Sequence, residues 1–340
     1  MTTGTTAHVA TADTPQLPTS RVAGTERLAA LAQRHGALAV LLLGSAAAAL
    51  LFESFATAGN LAGIAIQSST LAIVALGMTF VIIGGGIDLS VGSVFALGGV
   101  LAAWASQWGA LPAVLLPLAV CGAIGLLNGL VIARAGLAPF IVTLASLLGA
   151  RGLLLAVTDE GARTYLVPRD SALLDVGRGT LFGVGWPVYV AALLCVAGAV
   201  LLQRSRYGQA VFALGGNEEA AALMGLPVAR VKTLTYVLSA LLAGFAGILN
   251  AARLGSGVTI LGVGMELDAI AAVVIGGTLL IGGAGSVSGT LCGVLLLGVI
   301  QNVINQIGNL TSSIQSVVSG AFLLVVVVTQ TYLSKVRRLR

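Results

Sequence analysis

RSRYGQAVFALGGNEEAAALMGLPVARVK, residues 204–232, is the one long polar stretch inside a chain of 340 residues that is otherwise built from apolar segments. It lies between two stretches hydrophobic enough to cross a bilayer, so it reads as a water-exposed hinge between spans. Within it, Asn217 is placed to cap a helix, because its side-chain oxygen can accept an orphan backbone N–H. Glu218 and Glu219 put negative charge in the first turn, where the helix dipole favours it. Ala220, Ala221, Ala222, Leu223 and Met224 are good helix formers. Gly225 can take the left-handed conformation that ends a helix, and Pro227 prevents its continuation. The spacing predicts a helix of about two turns, roughly 10 Å long. Apolar Leu223, Met224 and Leu226 beside two acidic residues suit the groove of a partner protein better than a plain connecting loop.

Outside the hinge, composition points to lipid as the solvent. Hydrophobic residues make up 57% of the chain and charged residues 9%, against roughly 25% charged in a soluble domain; mean hydropathy is +1.04. With aromatics at only 5%, membrane helices are expected rather than an aromatic-girdled barrel. The 46 glycines suit helices that pack closely in a membrane. A net charge of +5 does not point to nucleic acid, because the basic residues stand at the ends of apolar segments instead of on one face. Cys121, Cys195 and Cys292 lie inside apolar stretches and read as packing residues. His8 and His35 have no ligand-spaced partner, so neither a metal site nor a cofactor is expected.

A crossing helix needs about 20 mostly apolar residues. Ten segments qualify: 37–55, 61–83, 91–108, 111–133, 139–157, 187–203, 232–252, 266–282, 287–305 and 312–333. The fold class expected is therefore an all-α polytopic membrane protein of about ten transmembrane helices, with its membrane domain over 37–333. A polar N-terminal tail (1–36) precedes it and a basic tail (334–340) follows. With both termini in the cytoplasm, twelve Lys and Arg residues face inward and four (Arg163, Arg169, Arg178, Arg253) face outward, while Arg151 lies in a span; this orientation satisfies the positive-inside rule. It makes 204–232 cytoplasmic, 158–186 the longest outer loop, and Trp104, Trp108 and Trp186 outer-interface residues.

Two glycine-rich polar breaks interrupt the apolar pattern, at Gly84–Ser93 and Gly277–Thr290. Interrupted helices of this kind often carry transporter sites. Asp88 stands out, since a carboxylate at membrane depth is costly and usually functional; its plainer reading is a cap or pair at the cytoplasmic interface. Ser90 is placed to cap a helix beginning near Val91. Glu266 and Asp268 fall near the outer start of a span. Thr79, Ser90, Ser93, Asn128 and Asn250, with Asp88, are the candidates for a translocation path or gate suited to a hydroxyl-rich solute; interhelical packing is the alternative role for most of them.

Three blocks carry a family resemblance. Glu219-Ala220-Ala221, three residues and then Gly225 resembles the loop by which ABC importer permeases dock on their ATPase subunit. GMTFVIIGGGIDLSVGSVFALGGV (77–100) is similar to the signature stretch of ribose-type, carbohydrate-uptake permeases. GVGMELDAIAAVVIGGTLLIGGAGSVSGT (262–290) is similar to the same family, and within it most like the second permease subunit of galactofuranose-type importers. The resemblance implies an ABC importer permease fold in a bacterial inner membrane, translocating a monosaccharide by alternating access. It also implies a cytoplasmic ABC ATPase docking on Asn217, Glu218, Glu219, Ala220, Ala221 and Gly225, a second permease subunit, identical or related, and a periplasmic sugar-binding protein.

Other classes fit less well. The chain has no phosphate-binding Gly-x-x-x-x-Gly-Lys-Ser/Thr loop, so ATP hydrolysis belongs to a separate subunit and the chain itself is not an enzyme. An ion-coupled secondary transporter would need an ionisable residue near the midplane, and Asp88 is the sole plausible centre. An intramembrane enzyme would need a catalytic His, a zinc motif or paired Ser and Asp, none of which occurs in the spans. Among ABC permeases, one for branched-chain amino acids or another small solute is the remaining alternative.

Overall fold

The computed structural model describes residues 37–307 and, beyond them, Val317, Gly320, Ala321, Leu324 and Val328. The expected tails 1–36 and 334–340, and the expected span 312–333 apart from those five positions, lie outside the described residues. A helix α1 (Ala37–Leu51) opens the described fold. It is followed by α2 (Ala58–Ile83), α3 (Val91–Ala105, continued by a 3-10 turn to Trp108), α4 (Ala110–Arg134) and α5 (Pro139–Val157). The segment between α5 and α7 holds a short α6 (Ala172–Arg178) and a two-stranded hairpin, β1 (Thr180–Leu181) with β2 (Val184–Gly185). Then come α7 (Trp186–Arg204), α8 (Arg206–Gly216), α9 (Glu218–Leu223), α10 (Val228–Leu254), α11 (Met265–Ile275) and α12 (Val287–Ile307).

Among the described residues, seven helices are long and apolar enough to cross a membrane: α2, α3 with its 3-10 turn, α4, α5, α7, α10 and α12. They coincide with seven of the ten segments expected from hydropathy. The segment 266–282 is a correction. Its helix, α11, has 11 residues, about 16 Å at 1.5 Å per residue, half of a hydrocarbon core of roughly 30 Å. Gly276 and Gly277, the latter at φ 90°, stop the helix, and Leu279-Leu280-Ile281 continues the apolar run without helical structure. Hydropathy averages over that break because it measures side chains and is blind to backbone conformation.

The spans sort into two groups. Those of α2, α3 and α10 are mostly buried, whereas α4, α5 and α7 expose most of their surface. The buried group meets on α10, which packs against α2, α3 and α4. Small residues make the approach possible. A Cβ on Gly98 of α3 would sit 2.7 Å from the Gly244 carbonyl oxygen of α10, and one on Gly125 of α4 would sit 2.6 Å from the Tyr236 carbonyl oxygen. A Cβ on Gly247 of α10 would come still closer to the Phe95 carbonyl oxygen and within 2.8 Å of Gly99 N. Side chains of any size at these positions would force the helices apart and strip contacts from a close-packed interior.

Gly247→Val is expected to separate α3 from α10 and to lower the thermal unfolding midpoint of the detergent-purified protein by roughly 5 °C or more, as overpacked interiors do. Gly63→Ala, whose added methyl meets open space, is expected to leave that midpoint within about 2 °C of the parent.

Candidate functional site

Two arrangements concentrate polar chemistry, and both rest on α10. The first is the hinge. Ser205 starts α8 by accepting from Gly208 N at 3.0 Å, and α8 lies over the end of the bundle with Gly208, Val211 and Leu214 turned inward. Tyr207 stacks on Phe80 of α2, with ring centroids 6.2 Å apart, and its hydroxyl shares a 2.9 Å hydrogen bond with Thr235 of α10. Burial pushes the Tyr207 phenol above its ordinary pKa, and the Thr235 bond offsets part of that rise. The sequence reading of one short helix in the hinge is therefore incomplete. The capping Ser205 and the Gly215-Gly216 stop were the available signals for α8, masked by its glycine content.

α9 follows after one residue and is built as its sequence predicts. Asn217 Oδ1 accepts from Ala220 N at 2.9 Å. At the other end Gly225, at φ 81°, lets Gly225 N reach Ala222 O at 2.9 Å and Leu226 N reach Ala221 O at 3.1 Å, the paired closure of a left-handed helix stop. Ala221 is buried against the mount. Lys232 Nζ donates to both Glu218 oxygens, at 2.6 and 2.7 Å, which ties the start of α9 to the first turns of α10. Leu223 and Met224 are 90% and 72% exposed, and Glu219 is exposed beside them. A rigidly held two-turn helix thus presents an apolar tip with an acidic flank.

The second arrangement is a buried polar network at the first break. Asp88 is fully buried. Its Oδ1 accepts from Ser90 N at 3.0 Å and Ser90 Oγ at 2.6 Å, and its Oδ2 accepts from Ser239 Oγ of α10 at 2.8 Å. Asn128 Nδ2 of α4 donates to Ser90 Oγ at 3.3 Å, and Ser146 Oγ of α5 donates to Asn128 Oδ1. One carboxylate therefore joins the α2–α3 break to α10, α4 and α5. Among the described residues, the ion pairs are Arg163–Asp159 and Lys232–Glu218, so no cation pairs with Asp88.

These bonds fix the depth of Asp88. Ser239 lies 11 residues past the start of α10, about 16 Å along its axis, and Asn128 lies six residues, about 9 Å, from the end of α4. Asp88 is accordingly well inside the bundle. The chain turns back into the bundle after α2, and α3 begins beside Asn128 of α4 and Ser239 of α10. Ser90 is also a correction: its hydroxyl makes no capping bond to α3 and is spent on Asp88. Serine competes for whichever acceptor is nearest, and a carboxylate two residues away wins over a backbone amide.

Of the other candidates, Ser93 is buried in the first turn of α3. Thr79 lies elsewhere: its Oγ1 donates to Ala75 O at 2.7 Å and shares a 2.8 Å hydrogen bond with Thr290 Oγ1, linking α2 to α12. Asn250 accepts from Arg253 at 3.4 Å near the C-terminal end of α10. Glu266, expected near an outer boundary, lies against Gly92 in the first turn of α3. Ser146 and Ser239 went unnoticed in the sequence because isolated serines in a span carry no signal until their partners are known. Asn128 and Ser146 also face a groove of about 490 Å³ between α4 and α5, otherwise walled by apolar residues such as Ile124, Leu127 and Ile141. Among the described residues, no three His, Cys, Asp or Glu side chains cluster as a metal site would require.

The two arrangements touch. Gly215, at the end of α8, lies against the Ile83 carbonyl at the end of α2 and 2.6 Å from Gly283 N if given a Cβ. Gly283 N in turn donates to Ile83 O at 2.9 Å. The hinge and both glycine-rich breaks thus share one backbone junction.

Comparison with known proteins follows the same lines. A family profile described as "Branched-chain amino acid transport system / permease component" matches residues 60–327. The ribose import permease protein RbsC of Escherichia coli (strain K12) is 40% identical over 300 residues, covering 87% of this chain and 93% of that protein. The L-arabinose ABC transporter permease protein AraH of Azospirillum brasilense is 36% identical over 312 residues, covering 91% and 90%. The inner membrane ABC transporter permease protein YjfF of Escherichia coli (strain K12) is 39% identical over 305 residues, covering 86% and 90%. No solved structure matches the chain.

Asp88→Leu removes the acceptor of three hydrogen bonds and strands two buried serine hydroxyls. It is expected to cost about 1–3 kcal/mol of stability, read as a fall in the thermal midpoint of the purified protein. Asp88→Asn keeps the shape and one acceptor, and is expected to lose well under half as much.

Proposed function

This chain belongs to the family of carbohydrate-uptake ABC transporter permeases, and we propose that it is the membrane-spanning subunit of an ATP-driven importer that carries a monosaccharide of the ribose, arabinose or galactofuranose kind across a bacterial inner membrane. The observation that carries this reading is α9. It is short, capped at both ends, ion-paired to α10 and apolar at its tip, and such a knob is useful only to a partner that grips it. In this reading a cytoplasmic ABC ATPase closes on Leu223, Met224 and Glu219, and both termini lie on that side of the membrane. A second permease subunit completes the pathway, and a periplasmic sugar-binding protein delivers the solute.

Alternating access needs the ATPase to bind one arrangement of the bundle better than the other, since only differential affinity moves a conformational equilibrium. The shared junction at Gly85, Gly215 and Gly282 supports this reading, because displacement of α8 and α9 meets the ends of α2 and of the second break without an intervening side chain. The polar floor of the α4–α5 groove, Asn128 backed by Ser90 and Asp88, is the proposed wall of the path. The family description also admits a branched-chain amino acid as solute. The relatives named for ribose and arabinose favour a sugar, as does a groove whose polar groups are a neutral amide and a hydroxyl, fit for hydroxyl recognition and lacking a charge to pair with an amino acid's termini.

In proteoliposomes carrying the assembled importer, Glu219→Lys and Gly225→Pro are each expected to cut ATP-dependent uptake at least ten-fold and to reduce co-purification of the ATPase, while the permease still inserts at parental levels. Normal uptake and normal ATPase binding by either variant would remove α9 as the coupling element. Uphill transport by the permease alone would remove the importer reading altogether.

A further inference from the structure

The segment between α10 and α11, residues 255–264, is not helical, yet it runs beside a membrane span. A Cβ on Gly257 would lie 2.8 Å from Cα of Val100, midway along α3, and Gly262 lies against the Gly92 carbonyl in the first turn of α3. Eight residues of α3 separate those contacts, about 12 Å of depth. Irregular backbone at such a depth is tolerated only where it is covered by protein or lines a water-filled cavity, because lipid cannot satisfy its N–H and C=O groups. Ile260 and Val263 are nonetheless 78% and 77% exposed, so this chain leaves one face of the segment uncovered.

The first residues of the segment are pinned by main chain, with Gly257 N donating to Tyr165 O at 2.9 Å and Val167 N to Gly255 O at 2.9 Å across an antiparallel bridge at Leu166 and Ser256; beyond that bridge one charged side chain holds it. Arg151 of α5 donates from Nη1 to Thr259 O at 2.6 Å and to Leu261 O at 3.4 Å, and from Nη2 to Leu261 O at 3.3 Å. It lies 12 residues past the start of α5, about 18 Å along the helix, where a guanidinium is costly and normally marks function. No carboxylate pairs with it among the described residues. Its hydrogen-bond partners are main-chain carbonyls, a fork that one arginine can make and release as a unit. The stretch it grips has left-handed glycines on both sides, Gly255 at φ 77° and Gly264 at φ 79°, and Asn250 lies beneath it with Phe95 and Leu261 around a small cavity.

We infer that residues 255–264 are the gate of the outer half of the solute path and that Arg151 is the positioning residue that latches it against α5. This rests on the transport reading for its purpose, but the latch itself is a property of the chain alone. Opening would swing residues 258–263 between the bridged Gly257 and Gly264, free the guanidinium for the hydroxyls of an entering sugar, and uncover Asn250.

Two measurements test it. In the full chain embedded in nanodiscs, Arg151→Met is expected to raise hydrogen–deuterium exchange of the 258–263 amides at least ten-fold, with α10 exchange and the thermal midpoint unchanged, and Arg151→Lys to fall between. Unchanged exchange in Arg151→Met would overturn the latch whatever the protein transports. In the reconstituted importer, a Cys pair at Arg151 and Leu261 joined by a flexible bis-methanethiosulfonate linker is expected to stop uptake, with recovery on reduction. Parental uptake in the linked state would overturn the gate. If the exchange result holds but the unmodified importer shows no ATP-driven uptake, the latch survives and the transport reading fails.

Discussion

α10 touches α2, α3 and α4 at once only because glycine, alanine and serine line the faces where they meet, and every other feature of the bundle depends on that closeness. Lipid tails are as apolar as leucine, so burying apolar side chains gives little drive for helices to associate in a membrane. What remains is van der Waals packing and interhelical hydrogen bonding, and both demand short distances. Gly98 against Gly244, Gly125 against Tyr236 and Gly77 against Ser239 bring backbones near enough for Ser239 to reach Asp88. Without that approach the carboxylate would lose its third donor, and the chain would have no means of holding a broken helix partway across the membrane.

The broken segments are then understandable as consequences of a rigid centre. After α2 the chain folds back to Asp88, and after α10 it descends along α3 to Glu266. Each excursion leaves backbone groups without a helical ladder, and each is anchored by side chains on an intact helix: Thr143 donates to the Ile87 carbonyl of the first while Ser239 and Asn128 hold its Asp88 and Ser90 side chains, and Arg151 donates to carbonyls of the second. Gly215, Gly282 and Gly85 bring the hinge against both glycine-rich breaks, 84–93 and 277–290, with backbone alone. Small residues there serve transmission as well as packing, because a junction of main chains moves as a unit where long side chains would absorb the displacement by changing rotamer.

The spans, the hinge helix and its caps were legible in the sequence because each depends on local chemistry. Asn217, Gly225 and Pro227 act on neighbours within four residues, and apolar runs report insertion directly. Which spans are central was not legible. α4 and α5 are at least as hydrophobic as α3 and α10, since lipid-facing and protein-facing surfaces are both apolar in a membrane. The better indicator was spacing of small residues, such as Gly125 and Gly129 on α4, whose added Cβ atoms would each come within 2.6 Å of α10. α11 was overextended, since hydropathy cannot see a Gly-Gly stop followed by leucines. Partners within the polar network were invisible for another reason: Asp88 and Ser239 are 151 residues apart, and nothing about an isolated serine announces a carboxylate waiting for it.

Asp88 bears on mechanism through what surrounds it. A site that carries a proton or cation across the membrane must exchange its charge partner between two aqueous faces, which calls for open coordination and changing access. Here both carboxylate oxygens are already engaged by Ser90 and Ser239, the residue is fully buried, and its donors are neutral hydroxyls and an amide fixed by helix packing. Such an environment leaves neither carboxylate oxygen as an open site for an exchanging ion. The fixed carboxylate holds Ser90 and through it Asn128, and so sets the polar floor of the α4–α5 groove. In the proposed transport cycle energy enters elsewhere, through the capped, exposed helix at 218–223, which Gly215 and Gly216 of α8 connect to the main-chain junction of both glycine-rich breaks.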